Sequence, residues 1–166
     1  PFEFQEETWR HYLECKKGLV QVATGQGKTY AATMAPVAEM LEAPSSGLKL
    51  LYITPLRAVA RDIEKAIAKP ITEMNWKVRV ESRTGDSKQS LKRKQLKAMP
   101  DILITTPESL ALMLTYVGTK NLFGHLRCII LDEWHELLST KRGTLTELCL
   151  TRLRTLAPEL RTWALS

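Results

Sequence analysis

Cysteine is scarce in this chain of 166 residues, and the three present, Cys15, Cys128 and Cys149, are odd in number and far apart. That pattern argues against a disulfide framework, offers no close pair of metal-binding thiols, and makes a reduced cytosolic interior the expected setting. Long apolar runs are missing too. None approaches the roughly 18 to 20 residues needed to span a bilayer, so no membrane partner is expected. Pro1-Phe2-Glu3-Phe4 is not the basic leader of a signal peptide. His11 and His125 lack chelating companions, which speaks against zinc. No repeat, low-complexity tract or long linker divides the sequence. The chain starts without Met, and the strand-like Arg161-Thr162-Trp163-Ala164-Leu165 stops at Ser166, so both ends read as cut.

What is present suffices for one core: 44% of the residues are hydrophobic in a chain of ordinary domain length. A net charge of +6 and a pI near 9.3 favour an anionic partner such as nucleic acid. Apolar runs at 18–22, 48–53, 102–104 and 128–131 read as strands, with a further strand expected at 76–80. Helical patterns lie between them, at 6–14, at 28–41 with a kink near Pro36, from Leu56 towards Ala68, and around 108–114 and 145–156. Apolar strands alternating with helices predict an α/β fold, a mostly parallel sheet covered on both faces. Ligands in such sheets collect beyond the carboxyl ends of the strands.

Two segments fall at such ends. Val22-Ala23-Thr24-Gly25-Gln26-Gly27-Lys28-Thr29 joins a strand to a helix. Gly25 and Gly27 let successive main-chain N–H groups approach an anion, Lys28 offers a mobile charge to the outer phosphates of a nucleoside triphosphate, and the Thr29 hydroxyl suits magnesium. Val22 stands where the common GxxxxGKT pattern has glycine, and a glycine loop capping a helix is the alternative. Farther on, Cys128-Ile129-Ile130-Leu131 runs into Asp132-Glu133-Trp134-His135. Asp132 is placed to hold magnesium, Glu133 to orient the attacking water and accept its proton, and His135 to report nucleotide state. Trp134 is expected to serve packing.

These motifs, in this order over nearly the whole length, resemble the first RecA-like domain of a superfamily 2 DExH-box helicase and, more narrowly, the Lhr-like, ligase-associated family. Phe4-Gln5 with Trp9 resembles its adenine-recognition region, with Gln5 reading the base edge and Phe2 or Phe4 packing on its face. Residues 22–29 resemble motif I, with Thr24, Gly25, Gln26, Gly27, Lys28 and Thr29 as the ATP-binding set. Val22-Ala23 replaces the usual Ala-Pro, and Gln26 a small residue. Thr54-Pro55-Leu56-Arg57-Ala58 resembles motif Ia, Thr84-Gly85-Asp86 a strand-contact loop, and Thr105-Thr106-Pro107-Glu108-Ser109-Leu110 motif Ib. Asp132-Glu133-Trp134-His135 is similar to motif II, and the stretch from Glu136 to Gly143 is typical of Lhr-like proteins.

The resemblance implies a RecA-like P-loop NTPase domain over 1–166, using ATP and Mg2+ in the bacterial cytosol or nucleoid. It further implies a motor that tracks 3′-to-5′ along single-stranded DNA and opens tailed duplexes, RNA–DNA hybrids in some members, in the service of DNA repair. Ser166 stands where a Ser-Ala-Thr motif begins, so a second RecA-like domain with arginine fingers is expected in the same full-length chain. Without it, little turnover is expected. Thr54, Arg57, Thr84, Gly85, Thr106 and Ser109 are the expected nucleic-acid contacts, made to the backbone and tolerant of sequence. Lys88, Lys92, Arg93, Lys94 and Lys97 form a denser basic tract that is either a DNA contact or the wet side of a helix whose apolar positions are Leu91 and Leu96. An RNA helicase of the same superfamily, a nucleic-acid binding module without turnover, and a metabolic P-loop kinase are the alternative readings.

Overall fold

Three four-residue apolar runs, Leu50–Ile53 (β2), Ile102–Thr105 (β4) and Cys128–Leu131 (β5), are buried at every position and form the middle of one parallel sheet. The computed structural model describes residues 1–23, 25–138 and 141–166, apart from the side chains of Leu137 and Leu138. Gly18–Val20 (β1), Val80–Arg83 (β3) and Arg161–Leu165 (β6) complete a six-stranded sheet in the order β1-β6-β5-β2-β4-β3. All five strand pairings are parallel.

Because side chains alternate across a strand, each run feeds two cores. Leu50, Tyr52, Ile102, Ile104, Cys128, Ile130, Trp163 and Leu165 face helices α1 (Glu3–Leu13), α2 (Lys28–Glu42) and α3 (Arg57–Glu73). Leu51, Ile53, Leu103, Ile129 and Leu131 face α5 (Pro107–Met113), α6 (Thr119–Phe123) and α8 (Lys141–Leu156). The remaining helices are α4 (Gln89–Lys97) and α7 (Trp134–Leu138). No described helix is long and apolar enough to cross a membrane. The expected architecture, a parallel sheet with helices on both faces, is the one observed.

Two sequence features lock β6 between β1 and β5. Gly18 lies opposite Trp163, where an added Cβ would sit 2.4 Å from the indole, so glycine is what lets the ring lie across the neighbouring strand. At the start of β6, Arg161 donates twice to the Glu39 carboxylate (2.8 and 2.6 Å), once to the Tyr12 carbonyl (3.2 Å), and lies 4.0 Å over the Tyr12 ring. Burial works to raise the Glu39 carboxyl, but the bonds from Arg161 and Tyr12 and the charges of Arg161 and Arg127 outweigh it and hold the group below its ordinary range.

Several expected boundaries shift. The strand expected at 76–80 is β3 at Val80–Arg83. It is an edge strand whose register is set by β4 alone, and its polar sequence lacks the apolar signal of the central strands. The first helix begins at Glu3, where Gln5 accepts from the Phe2 N–H. The first strand ends at Val20, the next starts at Leu50, and α8 starts at Lys141. Helix α2 runs through the buried Pro36 without a break. Helix α4 buries Gln95, which donates to Glu81 and the Ser82 carbonyl, while Leu96 is exposed and Leu91 half-buried.

Candidate nucleotide site and nucleic-acid loops

The turn before α2 needs two left-handed residues and has glycine at both. Gly25 (φ +84) has no non-neighbouring described residue within 4 Å of where a Cβ would point, and Gly27 (φ +88) caps the helix that Lys28 and Thr29 begin. Thr24, expected among the ATP-binding residues, lies outside the described residues, as do Ser139 and Thr140 of the stretch after the acidic tetrad. Gln26 is exposed, and its N–H donates to the Ala23 carbonyl at 3.4 Å. Gln5 is buried and donates to the Gly27 carbonyl at 3.1 Å, so the predicted base-reading amide also holds the turn. Trp9 Nε1 donates to the Tyr30 carbonyl at 3.2 Å. Phe2 and Phe4 stack with centroids 6.0 Å apart; Phe2 is exposed and Phe4 rests against the core.

One strand, β6, separates the end of β1 from the end of β5, and the acidic tetrad emerges beside the turn. The Asp132 N–H continues the sheet by donating to the Ile53 carbonyl at 2.8 Å. Glu133 adopts φ +46, a left-handed conformation that costs a non-glycine residue about 1–2 kcal/mol. Its N–H donates to Asp132 Oδ1 at 3.1 Å, and its side chain faces Lys28, Nζ to Oε1 4.0 Å. His135 places Nε2 3.5 Å from the other Glu133 oxygen and Nδ1 3.0 Å from the Ser166 hydroxyl. Burial, followed by the charge of Glu133, raises the Asp132 carboxyl above its ordinary range against the pull of Tyr52, the Glu133 N–H and Lys28. Lys28, Asp132, Glu133 and His135 are thus drawn together, and Trp134 packs half-buried on the core.

Three residues carry a role at the site that sequence reasoning does not assign to them. Tyr52, fully buried on β2, lies beside Asp132 and Thr29, and burial, followed by the charge of Asp132, drives its hydroxyl well above its ordinary range. A tyrosine inside an otherwise aliphatic strand was the available signal, since a buried phenol needs a partner. Ser166 donates its N–H to the Val20 carbonyl (3.0 Å) and accepts from the Val22 N–H (3.3 Å), tying the start of the turn to β6. Arg142 pairs with Glu108 (2.7 Å) and donates to the Pro55 carbonyl (3.1 Å), which fastens two of the expected nucleic-acid loops to α8.

Those loops line the carboxyl ends of β2, β3 and β4. The exposed Arg57 lies on Gly85, where an added Cβ would meet the guanidinium at 3.2 Å, and reaches Asp86 at 3.5 Å. Thr54, Thr84, Thr106 and Ser109 are buried, and Thr106 Oγ1 accepts from the Ser109 N–H at 3.4 Å to cap α5. Among the described residues, the Thr54 hydroxyl is buried without a hydrogen-bond partner. Arg57 and Gly85 are therefore the directly accessible members of the six.

Comparison with known proteins shows the family. Residues 2–166 match the DEAD/DEAH box helicase family model. The chain is 36% identical over 166 residues to the Lhr helicase of Mycolicibacterium smegmatis, covering 92% of this chain and 11% of that protein. It is 36% identical over 163 residues to ATP-dependent helicase Lhr-Core protein 2 of Thermococcus barophilus, covering 87% and 19%. A solved structure of the Mycobacterium smegmatis helicase Lhr bound to ssDNA and AMP-PNP superposes with a TM-score of 0.91 at 34% identity, over 100% of this chain and 22% of that one. The chain thus spans 11% and 19% of the length of these two curated relatives. With the family model matching almost end to end, the chain belongs to the DEAD/DEAH box helicase family, as a Lhr-like DExH member.

Proposed function

We propose that residues 1–166 form the ATP- and magnesium-binding first motor domain of a DNA-dependent ATPase and 3′-to-5′ DNA helicase that serves DNA repair. One observation carries this reading: the glycine turn and the acidic tetrad, over a hundred residues apart, meet at one edge of the sheet, with Lys28 4.0 Å from Glu133. The relative solved with ssDNA and AMP-PNP supports both the nucleotide and the strand.

Thr29 and Asp132 fit a magnesium ion by the chemistry of their donors, a hydroxyl and a carboxylate that both lie beside the Tyr52 hydroxyl. A dication there would also favour the charged form of Asp132, which burial and Glu133 oppose. Bound at this point, the ion would supply charge neutralisation to the outer phosphates. Lys28 would hold the outer phosphates from the helix N-terminus, and the main-chain donors around Gly25 and Gly27 would cradle them. Glu133 would orient the attacking water and take its proton, with His135 fixing the carboxylate and linking it to Ser166. Closure of a second RecA-like domain, carried by the same full-length chain, would complete the site and alternate the grip of the two domains on the strand.

The test is turnover and nucleotide binding by the full-length protein. Glu133→Gln should bind ATP as the wild type does, with a magnesium requirement, and lose turnover by about 100-fold or more. Lys28→Ala should weaken ATP binding itself. Stimulation by single-stranded DNA above RNA is expected, and stimulation by RNA alone would turn the reading to an RNA helicase. ATP binding indifferent to magnesium and to Lys28 would remove it.

A further inference from the structure

Five cations, Lys88, Lys92, Arg93, Lys94 and Lys97, lie in or next to α4 with no acidic residue among them. Set aside, they leave 19 Lys and Arg against 18 Asp and Glu, so almost the whole +6 of the chain resides in this one short helix. Charges that only solubilise a helix face are usually interleaved with opposite ones at i,i+4. Here the spacings Lys88 to Lys92 and Arg93 to Lys97 set like charges one turn apart, which costs stability. None of the five makes an ion pair among the described residues; Lys92 is engaged instead by the Gly85 carbonyl (2.8 Å), next to Arg57. Such self-repulsion persists at little cost if an external polyanion relieves it.

The surface leads to this helix from the proposed strand-binding loops. A groove bordered by Arg57, Thr84 and Asp86 adjoins a second one bordered by Glu64, Lys65, Glu81, Lys88 and Leu91, and the two share Arg61, Ser82 and Ser87. Together they form a furrow between α3 and α4. The helix is held firmly beside it, since the buried Arg83 donates to the Lys92 carbonyl (3.0 Å) and Gln95 is bonded to Glu81 and Ser82. A furrow of this kind suits one flexible phosphodiester chain, whereas a rigid duplex would lie across its rim.

We propose that α4 is a second nucleic-acid contact, over which a single strand leaving the Arg57–Gly85 loop continues past the α3–α4 furrow, its phosphates neutralised by Lys88 at the furrow and by Arg93, Lys94 and Lys97 exposed on the helix beyond it. This rests on the motor-domain reading given above and extends its binding site beyond the expected loops. Contacts of this type set length dependence and salt dependence and read no sequence.

The experiment uses the full-length protein and its fourfold variant K88Q/R93Q/K94Q/K97Q, titrated with oligothymidylates from about 4 to 16 nucleotides, the span of typical single-strand sites. The four side chains are exposed, and thermal unfolding should be unchanged or slightly later because like charges are removed. Equal affinity for the shortest strands and weakened affinity for the longest is expected. At about 0.7 per phosphate contact, the slope of log K against log salt should fall by up to about 3 for long strands, so the gap between the proteins should change roughly fiftyfold between about 50 and 200 mM salt. Should the fourfold variant fail to fold, R93Q and K97Q alone should each lower the slope by about 0.7. If the variant matches the wild type at every length, or loses affinity only for blunt duplex, the inference is overturned and the motor-domain reading stands. If the wild type binds no single strand of any length, that reading falls as well.

Discussion

Replacing Gly25 and Gly27 by alanine, one at a time, separates two effects that a glycine-rich turn normally confounds. Both residues have left-handed backbones, φ +84 and +88, so each alanine carries a similar conformational cost of about 1–2 kcal/mol. At Gly25 that is the effect expected, since beyond its chain neighbours nothing among the described residues lies within 4 Å of the new Cβ. At Gly27 the Cβ would stand 2.6 Å from Gln5 Nε2, the atom that donates to the Gly27 carbonyl at 3.1 Å. The amide must swing away, and the bond it loses is worth about 1 kcal/mol. If the turn must hold its present shape to bind phosphates, G25A should weaken ATP binding by about 5- to 30-fold, and G27A by a further factor of about 5. In a Q5A background the clash and the bond are both gone, so the extra factor should disappear while the common part remains. Nucleotide affinity by fluorescence anisotropy with a labelled ATP analogue reads all of these variants. Equal weakening by G25A and G27A, or a gap between them that survives in Q5A, would refute the claim that Gln5 braces the turn.

Other consequences are simpler to state. Glu39→Gln leaves the mostly buried Arg161 without its counter-charge and should cost about 2–3 kcal/mol in urea unfolding at neutral pH, below the full buried-pair value because Glu39 keeps 24% exposure. As the Glu39 pKa is held below its ordinary 4.5, the stabilisation is complete above that pH and is lost as pH falls through the depressed value, so wild type and variant should converge only in acid. Gly18→Ala drives a methyl against the Trp163 ring and should cost about 1–3 kcal/mol, with a red shift or broadening of tryptophan emission; an unchanged midpoint would mean β1 slides freely against β6. Among the thiols, exposed Cys15 should react with a thiol reagent at once, whereas Cys128, whose pKa burial pushes up, should wait for unfolding.

The parts of the fold legible in sequence are those where one strong physical signal acts alone. Leu50-Leu51-Tyr52-Ile53 and Cys128-Ile129-Ile130-Leu131 are apolar on both sides because both sheet faces are covered, and their strands lie where the runs do. Val80-Glu81-Ser82-Arg83 is a strand for a non-local reason, its pairing with Ile102–Thr105, and nothing in its composition announces it. Gln95 is buried in preference to Leu96 where Glu81 and Ser82 accept from its amide nitrogen, a partnership with β3 that helical periodicity cannot reveal. At the site, the glycines, lysine and acids were visible as motifs with a known chemical use. Tyr52 was read only as part of a buried strand, because a tyrosine's role depends on what its hydroxyl meets across the sheet.

The candidate site depends most on residues that have no chemistry of their own. Turn and tetrad are not on adjacent strands: β6 lies between β1 and β5 and makes the parallel pairing to each. At its end, Ser166 holds Val20 and Val22 by main-chain bonds and His135 by its hydroxyl, so one residue spans both halves of the site. Any displacement of β6 would therefore alter the 4.0 Å approach of Lys28 to Glu133 without touching either side chain. The strand is fixed at two points, at its start by Arg161 Nη2, which donates to both oxygens of Glu39, and in its middle by Trp163 lying across Gly18. The double role of Ser166 gives Ser166→Ala a distinct signature: the main-chain bonds survive, so nucleotide affinity should hold, while the loss of the His135 partner should lower turnover in the full-length protein and leave binding of the nucleic acid unchanged. An equal loss in nucleotide affinity would show that the hydroxyl shapes the turn itself.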